Sequence, residues 1–326
     1  MDEQQPRPTV ISIRDLRRTF KSRRGVLEAV AGISLDVFAG EIFGFLGPNG
    51  AGKTTTLRML ATLLPPTSGE ATVAGENLRR HPDRVRRRIG YVGQVGGSSA
   101  DVTGRSELVF EARLYGADRA TARQRADELI ASLDLEICAD RKVKTYSGGQ
   151  RRRLDMGVGL VHRPELLFLD EPTTGLDPQS RARMWEEVRK LRLAGTTVFL
   201  TTHYLEEADI LCDRLAIIDH GQIVARGTPD ELKREVAGDV VTVGVEGSAE
   251  RALELLSTQP FVREASLEGE TVRLYVDRGE TAAPTLLRLL DGAGLRLLTL
   301  SLSRPSLDDV FLRQTGRSLR ESDPAA

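Results

Sequence analysis

The segment GPNGAGKT, Gly47 to Thr54, constrains this chain more than any other part of it. It follows directly on Glu41 to Leu46, which reads as a strand. It is followed by Leu57, Leu60, Ala61 and Leu64, spaced as one face of a helix that Pro65-Pro66 stops. A glycine-rich loop between a strand and a helix is the setting of a phosphate-binding loop. Gly47, Gly50 and Gly52 let the backbone curl so that successive N–H groups face an anion. The helix starting near Thr54 adds the positive end of its dipole. Lys53 can then reach the β- and γ-phosphates as a mobile charge, and the Thr54 hydroxyl can sit on Mg²⁺. The candidate nucleotide-binding stretch is Gly47, Pro48, Asn49, Gly50, Ala51, Gly52, Lys53, Thr54 and Thr55.

The 326 residues are long for one compact domain and comfortable for two. Residues 10–235 alternate strands with helices: strands at Val10 to Arg14, Leu166 to Leu169 and Thr197 to Thr202, a helical stretch over 105–135, and a hairpin of Arg214 to Asp219 with Gln222 to Arg226. Residues 239–316 change pattern. Strands at Val240 to Val245, Val262 to Leu267, Thr271 to Val276 and Leu295 to Leu302 are interleaved with helices at Ala249 to Leu256 and Ala282 to Leu290, and Ser306 to Arg313 closes as a helix. That order is the split βαβ unit of a ferredoxin-like α+β domain. The tail, 317–326, is polar and expected to be loose.

Composition excludes several classes. The 46 basic and 47 acidic residues nearly cancel, whereas a dedicated nucleic-acid binder carries a basic excess. The arginine runs Arg84 to Arg88 and Arg151 to Arg153 hold no aromatic and Arg17 to Arg24 only Phe20, so without the interleaving that single-strand stacking needs they read as solvated faces. The last run also lies where positive charge would favour phosphate. Cys138 and Cys212 have no metal or redox spacing, which fits a reduced compartment. The N-terminus MDEQQPRP lacks the apolar stretch of a signal peptide, and no window reaches the ~18 apolar residues of a membrane span. A membrane role would need another chain for the channel.

LLFLDE, Leu166 to Glu171, delivers two carboxylates to the end of a buried strand, where open α/β sheets place ligands. Asp170 would hold Mg²⁺, through water, and Glu171 would polarise the water attacking the γ-phosphate. Ser147-Gly148-Gly149-Gln150 supplies a second anion site: Ser147 can N-cap a helix whose first N–H groups the glycines expose. One nucleotide has no use for two such sites in one domain, and a symmetric dimer resolves this, each SGGQ closing on the phosphate held by its partner.

YSGGQ resembles the signature motif of ABC transporter ATP-binding subunits, usually LSGGQ, with Tyr146 replacing Leu at the rim. The resemblance covers most of the first 230 residues and implies a P-loop NTPase, ABC-type α/β nucleotide-binding domain hydrolysing ATP with Mg²⁺. It implies that Gln94 in IGYVGQ is a Mg²⁺-ligating glutamine, that Asp177 after Gly175-Leu176 crosses the dimer interface, and that His203 contacts the γ-phosphate. Phe20 stands at the approximate place of the adenine-stacking aromatic; stacking and plain core packing both remain open. Arg304-Pro305-Ser306-Leu307-Asp308-Asp309-Val310-Phe311-Leu312 resembles the ending of daunorubicin-resistance-type subunits, partners of ABC-2 permeases. That implies a homodimer at the cytoplasmic face of the membrane, held by a separate permease and exporting a drug-like or amphipathic cargo. The alternatives are another exported cargo, such as a lipid or polysaccharide, and a soluble ATPase acting on DNA or ribosomes. The second domain could regulate, dimerise or brace the permease.

Overall fold

The structure is a computed structural model describing residues 7–22, 25–236 and 238–316. The tail over 317–326 and two arginines of the Arg17 to Arg24 run, at 23 and 24, lie outside the described residues. The chain divides into two compact units at residues 229 and 230.

The first unit opens with β1 (Thr9–Ser22), β2 (Gly25–Phe38) and β3 (Ile42–Leu46), then α1 (Lys53–Leu60), β4 (Ser68–Val73), β5 (Glu76–Asn77), α2 (Pro82–Arg88) and β6 (Ile89–Val92). The helical stretch 105–135 is two helices, α3 (Gly104–Leu114) and α4 (Arg119–Ser132), broken where Gly116 takes a left-handed φ of 85°. They are followed by α5 (Gly148–Leu160), β7 (Leu166–Asp170), α6 (Pro178–Leu193), β8 (Thr197–Thr202), α7 (Leu205–Leu211), β9 (Arg214–Asp219) and β10 (Gln222–Gly227).

Two sheets result. One is antiparallel, in the order β2-β1-β4-β5; the other has the order β10-β9-β3-β8-β7-β6 and is parallel from β9 to β6. Strands β3, β7 and β8 are buried at every residue, which is why they read as continuous apolar runs rather than alternating ones. Phe43, Phe45, Phe168 and Phe199 meet at the centre of one core, with Phe43 stacked on Phe199 at 5.5 Å between ring centroids. Burial of each such ring stabilises the fold by about 1.5–3 kcal/mol, so this cluster ties β3, β7 and β8 into one rigid platform. Leu57 and Leu60 bring α1 onto the same core, with Ile33, Leu35 and Val37 of β2.

Parallel register has a consequence for chemistry. Leu46 lies beside Thr202, Asp170 beside Thr201, and Val92 beside Leu169. Residues far apart in the chain therefore leave the sheet along one edge: the glycine loop, Glu171, His203 and Gln94.

The second unit begins within α8 (Pro229–Glu235) and continues as β11 (Asp239–Val245), α9 (Ala249–Ser257), β12 (Val262–Glu268), β13 (Thr271–Val276), α10 (Gly279–Gly292), β14 (Leu297–Ser303) and α11 (Leu307–Thr315). Its strand order, β12-β13-β11-β14 with every neighbouring pair antiparallel, is that of a ferredoxin-like sheet. Val241, Val243, Leu274 and Val276 pack there against Ala252, Leu256, Leu286 and Leu290 of α9 and α10. Asp309 of α11 is buried. It accepts hydrogen bonds from the Tyr275 hydroxyl at 2.7 Å and from Ser306, and pairs with Arg273 at 2.6 Å.

Candidate functional site

The glycine loop curls between β3 and α1, with Gly50 at φ 82° and Gly52 at φ 106°. A side chain at Gly52 would run into the carbonyl oxygen of Ala29, and one at Gly47 into that of Ile218. Backbone crowding and handedness together require glycine at 52. Lys53 is buried, its ammonium donating to the carbonyl oxygens of Gly47 at 2.6 Å and Pro48 at 3.0 Å. Asn49 and Gly50 are exposed at the tip of the loop, and Ala51 is buried beneath it.

Across the sheet edge, Glu171 faces that ammonium at 3.3 Å, and the His203 Nδ1 lies 3.3 Å from its other oxygen. Gln94 and Thr174 each donate to Glu171 at 3.2 Å. Burial alone would push this carboxyl up; His203 and Lys53 outweigh it and hold the pKa down at about 2. Glu171 takes a left-handed φ of 46°, an uncommon backbone for a residue with a side chain, and its N–H is fixed by Thr201. Asp170 is fully buried, and its Oδ1 accepts from the Thr54 hydroxyl at 2.9 Å and the Thr201 hydroxyl at 2.7 Å. Its Oδ2 is buried without a hydrogen-bond partner. An orphaned carboxylate oxygen beside the loop hydroxyl fits a hard cation, directly or through water.

Lys53, Gln94, Asp170, Glu171, Thr54 and His203 thus form one cluster. Ser147 and Asp177 each serve as a helix cap. The Ser147 hydroxyl accepts from the Gln150 N–H at 3.3 Å while the Gln150 side chain accepts from the Ser147 N–H at 3.0 Å, a reciprocal capping box at the start of α5. Ser147 and Gly148 are exposed there. Asp177 caps α6 through Ser180, whose hydrogen bonds draw its pKa down. Phe20 is 36% exposed with the Arg18 guanidinium 4.6 Å over its ring, so it is not a core residue.

Two expectations need correction. Arg152 and Arg153 are not on a solvated face; both are buried. Arg152 donates to the carbonyl oxygens of Gly93 at 2.6 Å, Asp170 at 2.9 Å, Glu171 at 3.3 Å and Pro172 at 2.9 Å. Arg153 donates to those of Leu133 and Asp134. Both guanidinium groups are spent on backbone carbonyls, and an arginine run carries no sign of this. Tyr146 is also more than a rim residue: its hydroxyl reaches inward to the Cys138 carbonyl at 2.7 Å.

Residues 30–174 match the family model described as ABC transporter, and 227–315 the one described as ATP-binding protein DrrA1-3-like, C-terminal domain. The daunorubicin/doxorubicin resistance ATP-binding protein DrrA of Streptomyces peucetius is 48% identical over 293 residues, 88% of each chain. The chain belongs to the ABC transporter ATP-binding subunits of the daunorubicin-resistance type. It is therefore an ATP-binding ABC ATPase. The Nod factor export ATP-binding protein I of Burkholderia thailandensis is 43% identical over 90% of this chain and 93% of its own. Among solved structures, the dimeric structure of a bacterial ABC transporter cassette matches with a TM-score of 0.62 at 25% identity, covering 67% of this chain and 98% of its own. Members of this family work with membrane permeases, and among the described residues of this subunit no helix is long and apolar enough to cross a membrane.

Proposed function

We propose that two copies of this chain close head to tail over two ATP molecules and drive export of a drug-like or amphipathic cargo through a separate permease. The observation carrying this reading is the Ser147 cap: an exposed helix start, whose first N–H groups and dipole favour an anion. The phosphate-binding cluster already lies at the sheet edge, so a second copy is the natural owner of the phosphate that Ser147, Gly148 and Gly149 meet. The dimeric cassette among the structural neighbours supports it.

Within each site the glycine loop binds the phosphates and Lys53 moves from Glu171 to the γ-phosphate. Glu171 is ionised but, with a pKa of about 2, a weak proton acceptor while Lys53 faces it. Phosphates that take Lys53 away release part of that hold, and the carboxylate becomes more basic as substrate arrives. It then orients the attacking water, with His203 donating to the γ-phosphate; positioning and charge do most of the work in phosphoryl transfer. Thr54, Asp170 and Gln94 would hold Mg²⁺, which neutralises phosphate charge when bound. Phe20 turns its exposed face to adenine, and Asp177 meets the partner.

Similarity along both units to a doxorubicin-resistance protein supports a drug cargo and a place at the cytoplasmic face, docked on the permease. The Nod factor relative favours, as a second reading, a non-drug amphiphile. Co-expression with a permease candidate tests both: recovery of the subunit with membranes, and resistance to anthracyclines, are expected. Exclusive recovery with ribosomes or DNA would overturn the reading.

A further inference from the structure

Glu207 lies in α7, four residues after His203, and is fully buried. Its Oε1 accepts from the Thr173 hydroxyl at 2.8 Å and the Trp185 indole N–H at 3.1 Å. Its Oε2 is buried without a hydrogen-bond partner. Burial pushes the carboxyl above its ordinary range, against smaller opposing effects of Thr202, Thr173 and Trp185.

The three groups belong to three segments with chemical duties. Thr173 is buried in the turn that follows Glu171, and the next residue, Thr174, donates to the Glu171 carboxylate. Trp185 is on α6, the helix capped by Asp177. Glu207 itself sits on the helix that starts just past His203. Position 202 is also bound to the phosphate loop, since the Gly47 N–H donates to the Thr202 carbonyl at 3.3 Å. A single side-chain oxygen accepting from two donors fixes these segments against one another in a dry interior, where unmet donors are costly.

We propose that Glu207 is a positioning residue for hydrolysis, holding the turn that carries Glu171 in register with His203 and with the α6 helix. Fully buried, it acts through these segments rather than on the nucleotide itself. The inference rests on the reading of Glu171 and His203 as the hydrolytic pair. Its requirement is an acceptor at Oε1, which glutamine supplies and alanine does not.

The experiment uses the purified full chain and measures MgATP turnover, affinity for the fluorescent analogue TNP-ATP, and thermal midpoint. Thr173→Val and Glu207→Ala should each lower kcat about tenfold or more, because small misplacements of reacting groups are costly. TNP-ATP affinity should stay within about twofold, since the Lys53 loop is untouched. Glu207→Gln should retain roughly half the wild-type kcat or more, as it keeps the acceptor. Should Glu207→Ala fail to fold, Thr173→Val and Trp185→Phe, which remove only donors, decide the matter. Wild-type kcat in Thr173→Val overturns the proposal, as does a Gln variant as impaired as the Ala variant. Turnover and TNP-ATP affinity falling together in Thr173→Val overturns it too, by reducing the role to general stability. Glu171→Gln is measured in parallel: normal turnover there sinks the hydrolytic reading itself, whatever position 207 does.

Discussion

Replacing Glu171 by Gln should destabilise the nucleotide-free protein as well as stop turnover, and the stability loss should depend on pH in a defined way. The carboxyl has its pKa drawn from 4.5 to about 2 because Lys53 and His203 outweigh the cost of burial. That difference corresponds to about 3 kcal/mol favouring the folded state when the group is charged. A carboxylate with a depressed pKa contributes its stability in full above its unfolded value and loses it as pH falls toward the folded one. The wild-type advantage should therefore be about 3 kcal/mol at pH 7, smaller by about 1 kcal/mol at pH 3.5, and nearly gone near pH 2. Trp185, the single tryptophan, lies buried in the first unit, so its fluorescence in urea reports on the relevant unfolding step. A wild-type-minus-Gln difference that is flat between pH 7 and pH 3.5 would refute the ion-pair account. A Gln variant as stable as the wild type at pH 7 would do the same.

Other outcomes follow from single contacts. Lys53→Ala removes a charged donor from the loop and should weaken ATP binding by about ten- to a hundredfold, measured by calorimetry. Gly52→Ala forces a side chain into a left-handed backbone against Ala29, and the thermal midpoint of the first unit should drop by the equivalent of about 1–3 kcal/mol, with nucleotide binding lost. Asp309→Asn breaks the buried pairing with Arg273, leaving Glu268 to compensate in part, and should cost the second unit about 2–3 kcal/mol. Hydrogen exchange over 230–316 would detect it, with ATPase activity unchanged.

Much of the site was legible because its parts are punctuated. Glycines at 47, 50 and 52, a lysine beside them, and acids at the end of an apolar run are local signals, and the parallel register brings them together. The βαββαβ order of the second unit was legible for the same reason, since each strand there is bounded by a turn or a helix. Strand β2 is hard to read from sequence: Ile33, Leu35 and Val37 alternate toward the core, but its first half is exposed and has no period. Arg152 and Glu207 were illegible in a different way. A charged residue in a helix reads as solvent-facing, and only the tertiary fold shows that one meets a row of carbonyls and the other a pair of donors.

The grip of Arg152 also says something about stiffness. Four hydrogen bonds from one planar group join the helix that begins at Ser147 to the backbone at Gly93 and at Asp170 through Pro172. A planar fork cannot swivel without breaking several of them at once. Helix α5 therefore behaves as a lever welded near its tip, and tilting it must drag the backbone around Gln94 and Glu171. A lysine in its place, with a single point charge and no planar fork, would join that helix to the same backbone far more loosely.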